Sequence, residues 1–134
     1  MRFQWDTQEV NWHELERLFK LNDLGGRVGD KLRRAFENST AVCFALDHNH
    51  VIAAARALSD REYHATIYDV VVHPDYQRRG IGTRLMNELM RQLPVWRVLL
   101  VADSEAAPFY TRLGFEPYGD VMAHLDRSRL YDRS

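Results

Sequence analysis

Gly80 and Gly82 stand two apart, with Arg78 and Arg79 just before them and Ile81 and Thr83 alongside. Residues of these types suit a diphosphate. Glycine lets backbone approach a ligand closely, and the N–H groups in the first turn of a helix point at an anion. That chemistry requires a helix to begin here, and Leu85, Met86, Leu89, Met90 and Leu93 follow at helical spacing. It also requires a strand to deliver the turn. Ile67 to Val72 is β-rich and is closed by His73-Pro74, where proline cannot donate to a ladder. The reading is a pyrophosphate-binding elbow of strand, turn and helix, to which Arg84 adds further positive charge. For Arg78 and Arg79 a merely solvated surface role is the plain alternative.

Two motifs carry a family resemblance. Gln77-Arg78-Arg79-Gly80-Ile81-Gly82 resembles the Gln/Arg-x-x-Gly-x-Gly/Ala signature of the GNAT superfamily of N-acetyltransferases. Phe109-Tyr110-Thr111-Arg112-Leu113-Gly114-Phe115 resembles that family's second signature, Phe/Leu-Tyr-x-x-x-Gly-Phe. The likeness extends over roughly Ala41 to Val121, and the residues before it match only in general pattern. It implies an α/β (α+β) fold with a mixed, mostly antiparallel central sheet flanked by helices, whose central parallel strand pair splays to bind acetyl-coenzyme A. The pantetheine arm is then expected along the backbone of Val70, Val71 and Val72, and the pyrophosphate at Arg78, Arg79, Gly80, Ile81, Gly82 and Thr83.

The activity the resemblance implies is acetyl transfer from acetyl-coenzyme A to a primary amine, by direct attack in a ternary complex and without a metal. Tyr110 occupies the place of the family's general acid. Thiols titrate near ~8.5 and tyrosine near ~10, so a phenol at the sulfur can donate the proton the departing thiolate needs. A helix tyrosine packed on Phe109 and Phe115 is the alternative. Asp103 departs from the Asn common in relatives. Ala102-Asp103-Ser104 ahead of Phe109-Tyr110, with Ala65-Thr66-Ile67-Tyr68-Asp69-Val70, is similar to a narrower branch, the plastid and cyanobacterial serotonin N-acetyltransferase-like proteins. By that likeness Asp103 accepts the amine proton, directly or through water, or orients the coenzyme. A helix N-cap is equally open.

Thr66 and Tyr68 hold positions that face substrate in many members of the family, and neither is a good base at neutral pH. His64, His73 and Asp69 are weaker base candidates. Strict strand alternation turns Asp69 to the face opposite Tyr68. Tyr68 with Trp12, Phe19 or Leu24 would form an aromatic wall suited to a small arylalkylamine. A protein or peptide acceptor, a regulatory module that binds acetyl-coenzyme A without turnover, and a nucleotide binder outside the family or a plain interaction domain are the competing classes.

Composition bounds these readings. With 134 residues, 46% hydrophobic and 28% charged, one domain over 1–134 with a single core is expected. Eighteen basic side chains against nineteen acidic leave a net charge of -1 and no basic field for nucleic acid. The expected partner is a small-molecule amine, with a homodimer left open. The single cysteine, Cys43, excludes an internal disulfide framework and suits a reducing compartment. No apolar run approaches the ~20 residues of a membrane span. No leader pattern stands at Met1, so a soluble, cytoplasmic protein is expected.

The positioning elements follow in order. Arg2 to Trp5 reads as a short strand, and Asn11 with Glu14 as a capping box for a helix carrying Leu15, Leu18, Phe19 and Leu21 inward. Gly25-Gly26 should stop that helix, and Gly25 to Lys31 lacks the spacing of a phosphate loop. A second helix is expected from Val28 to Asn38. Ala41 to Leu46 and Val51 to Leu58 flank Asp47-His48-Asn49-His50 as a hairpin, in which the paired histidines read as turn residues rather than metal ligands. After the elbow helix, Val95 to Ala102 reads as a parallel strand buried on both faces. A helix from Ala106 to Leu113 should carry Tyr110, and Phe115 to Tyr118 with Val121 to Leu125 should supply a closing strand or hairpin. The polar stretch from Asp126 onward is expected to fray.

Overall fold

The computed structural model of the protein describes residues 1–130. The end of the stretch expected to fray, residues 131–134, lies outside the described residues. Packing divides the chain into one unit from Met1 to Leu100 and a second that begins at Val101.

The first unit runs β1 (Arg2–Gln4), α1 (Trp12–Leu21), α2 (Gly29–Glu37), β2 (Ala41–Asp47), β3 (His50–Ser59), β4 (His64–Val72), α3 (Ile81–Met90) and β5 (Arg97–Leu99). Its five strands form one sheet in the order β1-β2-β3-β4-β5. Pairing is antiparallel as far as β4 and parallel between β4 and β5, so the sheet is mixed and mostly antiparallel.

Alternation along β2 sorts the core. Val42, Phe44 and Leu46 join Leu15, Leu18 and Phe19 of α1 and Leu32 and Phe36 of α2 in one apolar cluster. Phe36 is its hub, with ring centroids 6.3 Å from Trp12, 6.1 Å from Phe19 and 5.5 Å from Phe44. The opposite face of the sheet receives α3, which packs across β2, β3 and β4 through Ile81, Leu85, Met86 and Leu89. Cys43 lies on that side near Glu88 and Arg84, and burial, then the Glu88 charge, push its thiol up to about 12. Ala53, Ala54, Ala55 and Ala57 are fully buried in the central strand β3, where small side chains leave room for helices on both faces.

Local chemistry sets the boundaries. Asn11 caps α1 by accepting the Glu14 N–H at 3.0 Å, but the Glu14 carboxylate does not complete the box. It reaches instead to the Val51 N–H and to His50 Nδ1 at 2.7 Å, tying α1 to β3. The stop comes earlier than Gly25-Gly26. Asp23 takes the left-handed position at φ 61, and Leu24 N–H donates to the Phe19 carbonyl at 2.9 Å, so Leu21 is left half exposed. His48 and Asn49, at φ 49 and 65, make the two-residue turn of the β2–β3 hairpin.

The second unit is built differently. It holds α4 (Ala107–Arg112) and a short 3-10 turn at Arg127–Arg129. No strand forms at Phe115–Tyr118 or Val121–Leu125 among the described residues, contrary to the closing hairpin expected there. Val121, Met122 and Leu125 are exposed, so the alternation there is not matched by a buried face. The strand expected over Val95 to Ala102 shrinks for the same reason. β5 is three residues long and half buried, because it is the last strand of the sheet and among the described residues has a partner on one side only.

Candidate active site

β4 pairs with β3 along its length, with one register shift. Arg56 faces Asp69 while Ala57 faces Ile67, which leaves Tyr68 as an extra residue in a β-bulge. On its other side β4 pairs with β5 only at His64, Ala65 and Thr66. From Ile67 to Val72 the outer edge therefore has no strand partner among the described residues, and the backbone of Val70, Val71 and Val72 is free to bind an extended ligand there.

The turn that follows is tied down at each step. His73 N–H donates to the Ile52 carbonyl at 2.7 Å, and Pro74–Tyr76 forms a 3-10 turn. The Tyr76 hydroxyl donates to Asp47 Oδ2 at 2.7 Å, which lowers the Asp47 carboxyl and raises the Tyr76 phenol. Gln77 Nε2 donates to the Val72 carbonyl at 3.0 Å. Arg78 and Gly80 then take left-handed conformations, at φ 64 and 78, and Gly80 caps α3 with no side-chain acceptor. Gly80 is needed for that φ rather than for space, since a Cβ there would meet nothing within 4 Å. Arg84 N–H donates to the Gly80 carbonyl at 3.1 Å, so the N–H groups of Ile81, Gly82 and Thr83 sit at the helix mouth without intrahelical acceptors. An uncapped helix start beside two exposed arginines fits a diphosphate.

Of the three arginines, Arg79 stays at the turn, its guanidinium 5.3 Å from the centre of the Tyr76 ring. Arg84 does not share the mouth as expected. Its guanidinium stacks 4.3 Å over Phe3 of β1, where an aromatic face offers it a better seat.

The expected aromatic wall is reduced. Phe19 is fully buried and Trp12 packs edge-on against Phe36, so both serve the core, while Tyr68 is half exposed and Leu24 is partly so. Thr66 lines a shallow depression of about 470 Å³ with Ser59, Asp60 and His64, at the end of β4 remote from Gly80. Asp60 there accepts the N–H groups of Glu62, Tyr63 and His64, which hold its carboxyl down at about 2. His73 Nδ1 accepts the Asp75 N–H at 3.1 Å and so serves as a turn cap. Asp69 does not lie opposite Tyr68 as alternation predicts. The bulge breaks the alternation, and one guanidinium, that of Arg56, meets both side chains: 2.6 Å to Asp69 Oδ2 and 5.5 Å to the Tyr68 ring centre. Nothing in the residue pattern announces that bulge. The ties made by Gln77 and Tyr76 are likewise visible only in three dimensions.

In the second unit Asp103 Oδ1 accepts the Ala106 N–H at 2.8 Å, and the Asp103 carbonyl accepts Ala107 N–H at 2.9 Å, so this residue does initiate the turn leading into α4. Gly114, at φ 94, ends α4, and Phe115 N–H closes it on the Tyr110 carbonyl at 3.1 Å. The Tyr110 ring packs edge-on against Phe109 at 5.0 Å and Phe115 at 5.9 Å. Burial pushes the Tyr110 phenol above its usual value, and the Asp103 carboxylate adds to the rise. The phenol is thus protonated throughout the neutral range. Among the described residues no group of three His, Cys, Asp or Glu is placed to hold a metal, and no helix is long and apolar enough to cross a membrane.

The chain is similar to known proteins. The chain is 33% identical over 117 residues to the N-acetyltransferase ycf52 of Porphyra purpurea, an alignment covering 82% of this chain and 67% of that protein. It is 34% identical over 115 residues to the chloroplastic serotonin N-acetyltransferase 2 of Oryza sativa, covering 76% of this chain and 58% of that one. The chain thus spans only part of the length of these relatives. A GNAT-family acetyltransferase structure from Streptococcus pneumoniae TIGR4 superposes with a TM-score of 0.76 at 24% identity, covering 93% of this chain and 98% of that one, and so shares the fold. Residues 38–117, more than half of the chain, match the family described as the acetyltransferase (GNAT) domain, and the protein belongs to that family.

Proposed function

We propose that the protein transfers an acetyl group from acetyl-coenzyme A to the primary amine of a small molecule, with an arylalkylamine as the favoured acceptor. The observation that carries this reading is the continuous run from the unpaired edge of β4 through the strained turn at Arg78 and Gly80 to the uncapped start of α3. The backbone of Val70, Val71 and Val72 would hold the pantetheine arm. Arg78, Arg79 and the N–H groups of Gly80, Ile81, Gly82 and Thr83 would hold the diphosphate. The bound coenzyme supplies the acetyl group as an activated thioester.

The chain's own residues do the rest. A main-chain N–H at Val70 or Val71 donates to the carbonyl oxygen that gains charge during attack. Tyr110 donates its proton to the departing sulfur, a role its raised phenol pKa supports, because the proton is held throughout the neutral range. Asp103 accepts the amine proton, directly or through water, while also starting the turn into α4. Half-exposed Tyr68 and Thr66 are the side chains on β4 offered to the acceptor. The name of the rice relative supports the aromatic amine. A homodimer and a cytoplasmic location belong to the same proposal, and the chloroplastic name of the rice protein weighs against the second.

Isothermal titration with acetyl-coenzyme A, followed by thiol release with arylalkylamines, polyamines and peptides bearing a free N-terminus, tests this. Binding with release for arylalkylamines is the expected result. Release with peptides alone makes the acceptor a protein, binding without release makes the chain a regulatory module, and no binding removes the coenzyme. Tyr110→Phe is expected to cut turnover by about one to three decades with little change in coenzyme affinity. Unchanged turnover takes Tyr110 out of the mechanism.

A further inference from the structure

Among the described residues Asp69 is the charged residue that the fold buries, 3% exposed. A buried carboxylate is costly to desolvate and an apolar residue of similar size often serves stability as well, so the question is what its partners are held for. Those partners come from two other elements. Arg56 Nε of β3 donates to Asp69 Oδ2 at 2.6 Å, and Arg27 Nε, from the loop 22–28 between α1 and α2, lies 3.4 Å from Oδ1. Because Asp69 has only 2% of its side chain exposed, solvent screens these contacts far less than it would a surface pair.

The geometry beside the bulge shows what three elements gain by meeting there. Arg56 and Asp69 are cross-strand partners at the residue next to Tyr68, which the bulge leaves without a counterpart on β3. A bulge of this kind is held by whatever pins the register on either side of it. The Arg56 guanidinium lies between the Phe36 ring of α2, at 5.9 Å, and the Tyr68 ring, at 5.5 Å. It therefore orients the side chain that β4 offers to the acceptor. Arg27, 43% exposed, brings its loop down against the same carboxylate.

We infer that Asp69 is a positioning residue. Through Arg56 it fixes the bulge and the Tyr68 ring, and through Arg27 it latches the loop 22–28 against that stretch of β4, so that loop and ring form one wall of the amine pocket. The latch stands on geometry alone, whereas its part in the amine pocket rests on the acetyl-transfer reading.

The test uses Arg27→Gln, because Arg27 is half exposed and its loss leaves the Arg56–Asp69 pair intact. Amide hydrogen exchange of the loop 22–28 should rise about tenfold while the rest of the first unit is unchanged. With whichever amine the protein accepts, KM for the amine should rise about fivefold, with kcat and acetyl-coenzyme A affinity within about twofold. Arg27→Lys should restore most of both. Asp69→Asn, provided it folds, should show the same pattern enlarged and extended to amides 67–70. Unchanged exchange in the loop overturns the latch whether or not any amine is turned over. Faster exchange with an unchanged amine KM overturns the wall. Failure of the parent protein to acetylate any amine sinks the acetyl-transfer reading instead, and the exchange measurement then still decides the latch.

Discussion

Met86 and Met122 show how differently the two units use the same residue. Met86, on α3, is 1% exposed, whereas Met122 is 96% exposed in a stretch without regular structure. In the first unit the apolar periods of β2 and α3 find surfaces of matching period: Val42, Phe44 and Leu46 meet two helices, and Leu85 and Leu89 meet the sheet. In the second, α4 buries none of its residues fully, and Val121, Met122 and Leu125 lie in solvent. Patterning marks a residue as able to be buried. Burial itself requires a second element in reach.

The sharpest way to break that contrast is to truncate one side chain in each unit. Phe44→Ala, emptying a fully buried site that touches Phe36, is expected to cost about 3–5 kcal/mol in urea unfolding. Met122→Ala should stay within about 0.5 kcal/mol. Comparable losses would mean that the second unit is packed in solution as the first is.

Next in size come changes at the two ends of the proposed chemistry. Asp103→Ala removes the acceptor for the Ala106 N–H and should cost about 1 kcal/mol, while Asp103→Asn keeps a capping oxygen and should cost a few tenths. Turnover separates the two open roles. If Asp103 takes the amine proton, both variants lose activity alike; if it only starts the turn, Asn retains activity and Ala does not. In the first unit Arg78→Gly should do two opposite things. It relieves a non-glycine residue at φ 64, raising stability by about 1 kcal/mol, and it removes a positive charge from the helix mouth, weakening acetyl-coenzyme A binding about fivefold at low salt. An arginine that is only solvated surface would give the first effect without the second.

The first unit's elements were legible in the residues because their signals are local. Asn11 before an apolar period, His48-Asn49 between two apolar runs, and Pro74 after Val72 each act within a few residues of themselves. The elbow was legible for the same reason. What escaped depends on elements distant in sequence. Arg84 goes to Phe3, Glu14 to His50 rather than back to Asn11, and the bulge at Tyr68 is a matter of register against β3. The expected closing hairpin fails at the same level, since β-propensity at Val121 to Leu125 says nothing about whether an edge is there to receive it.

The smallest expected effect appears only at high pH. In an unfolded chain a tyrosine titrates near ~10. In the folded protein the Tyr110 phenol is raised by burial and then by Asp103, and the Tyr76 phenol is raised chiefly by its hydrogen bond to Asp47. A group that holds its proton more tightly when folded contributes stability that is fully present below the unfolded pKa and is lost as pH rises past it. Stability should therefore be flat through neutrality and decline above about pH 10, with one contribution from each unit. Urea midpoints measured from about pH 8 to 11 should show a shallower decline in Tyr110→Phe and, independently, in Tyr76→Phe. The two reductions should add, because the groups named as raising Tyr76 and Tyr110, Asp47 for one and Asp103 for the other, are not shared. If Tyr110→Phe declines as steeply as the parent while Tyr76→Phe does not, the Tyr110 phenol is as well solvated in the folded protein as in the unfolded one, and the general-acid reading loses its electrostatic support.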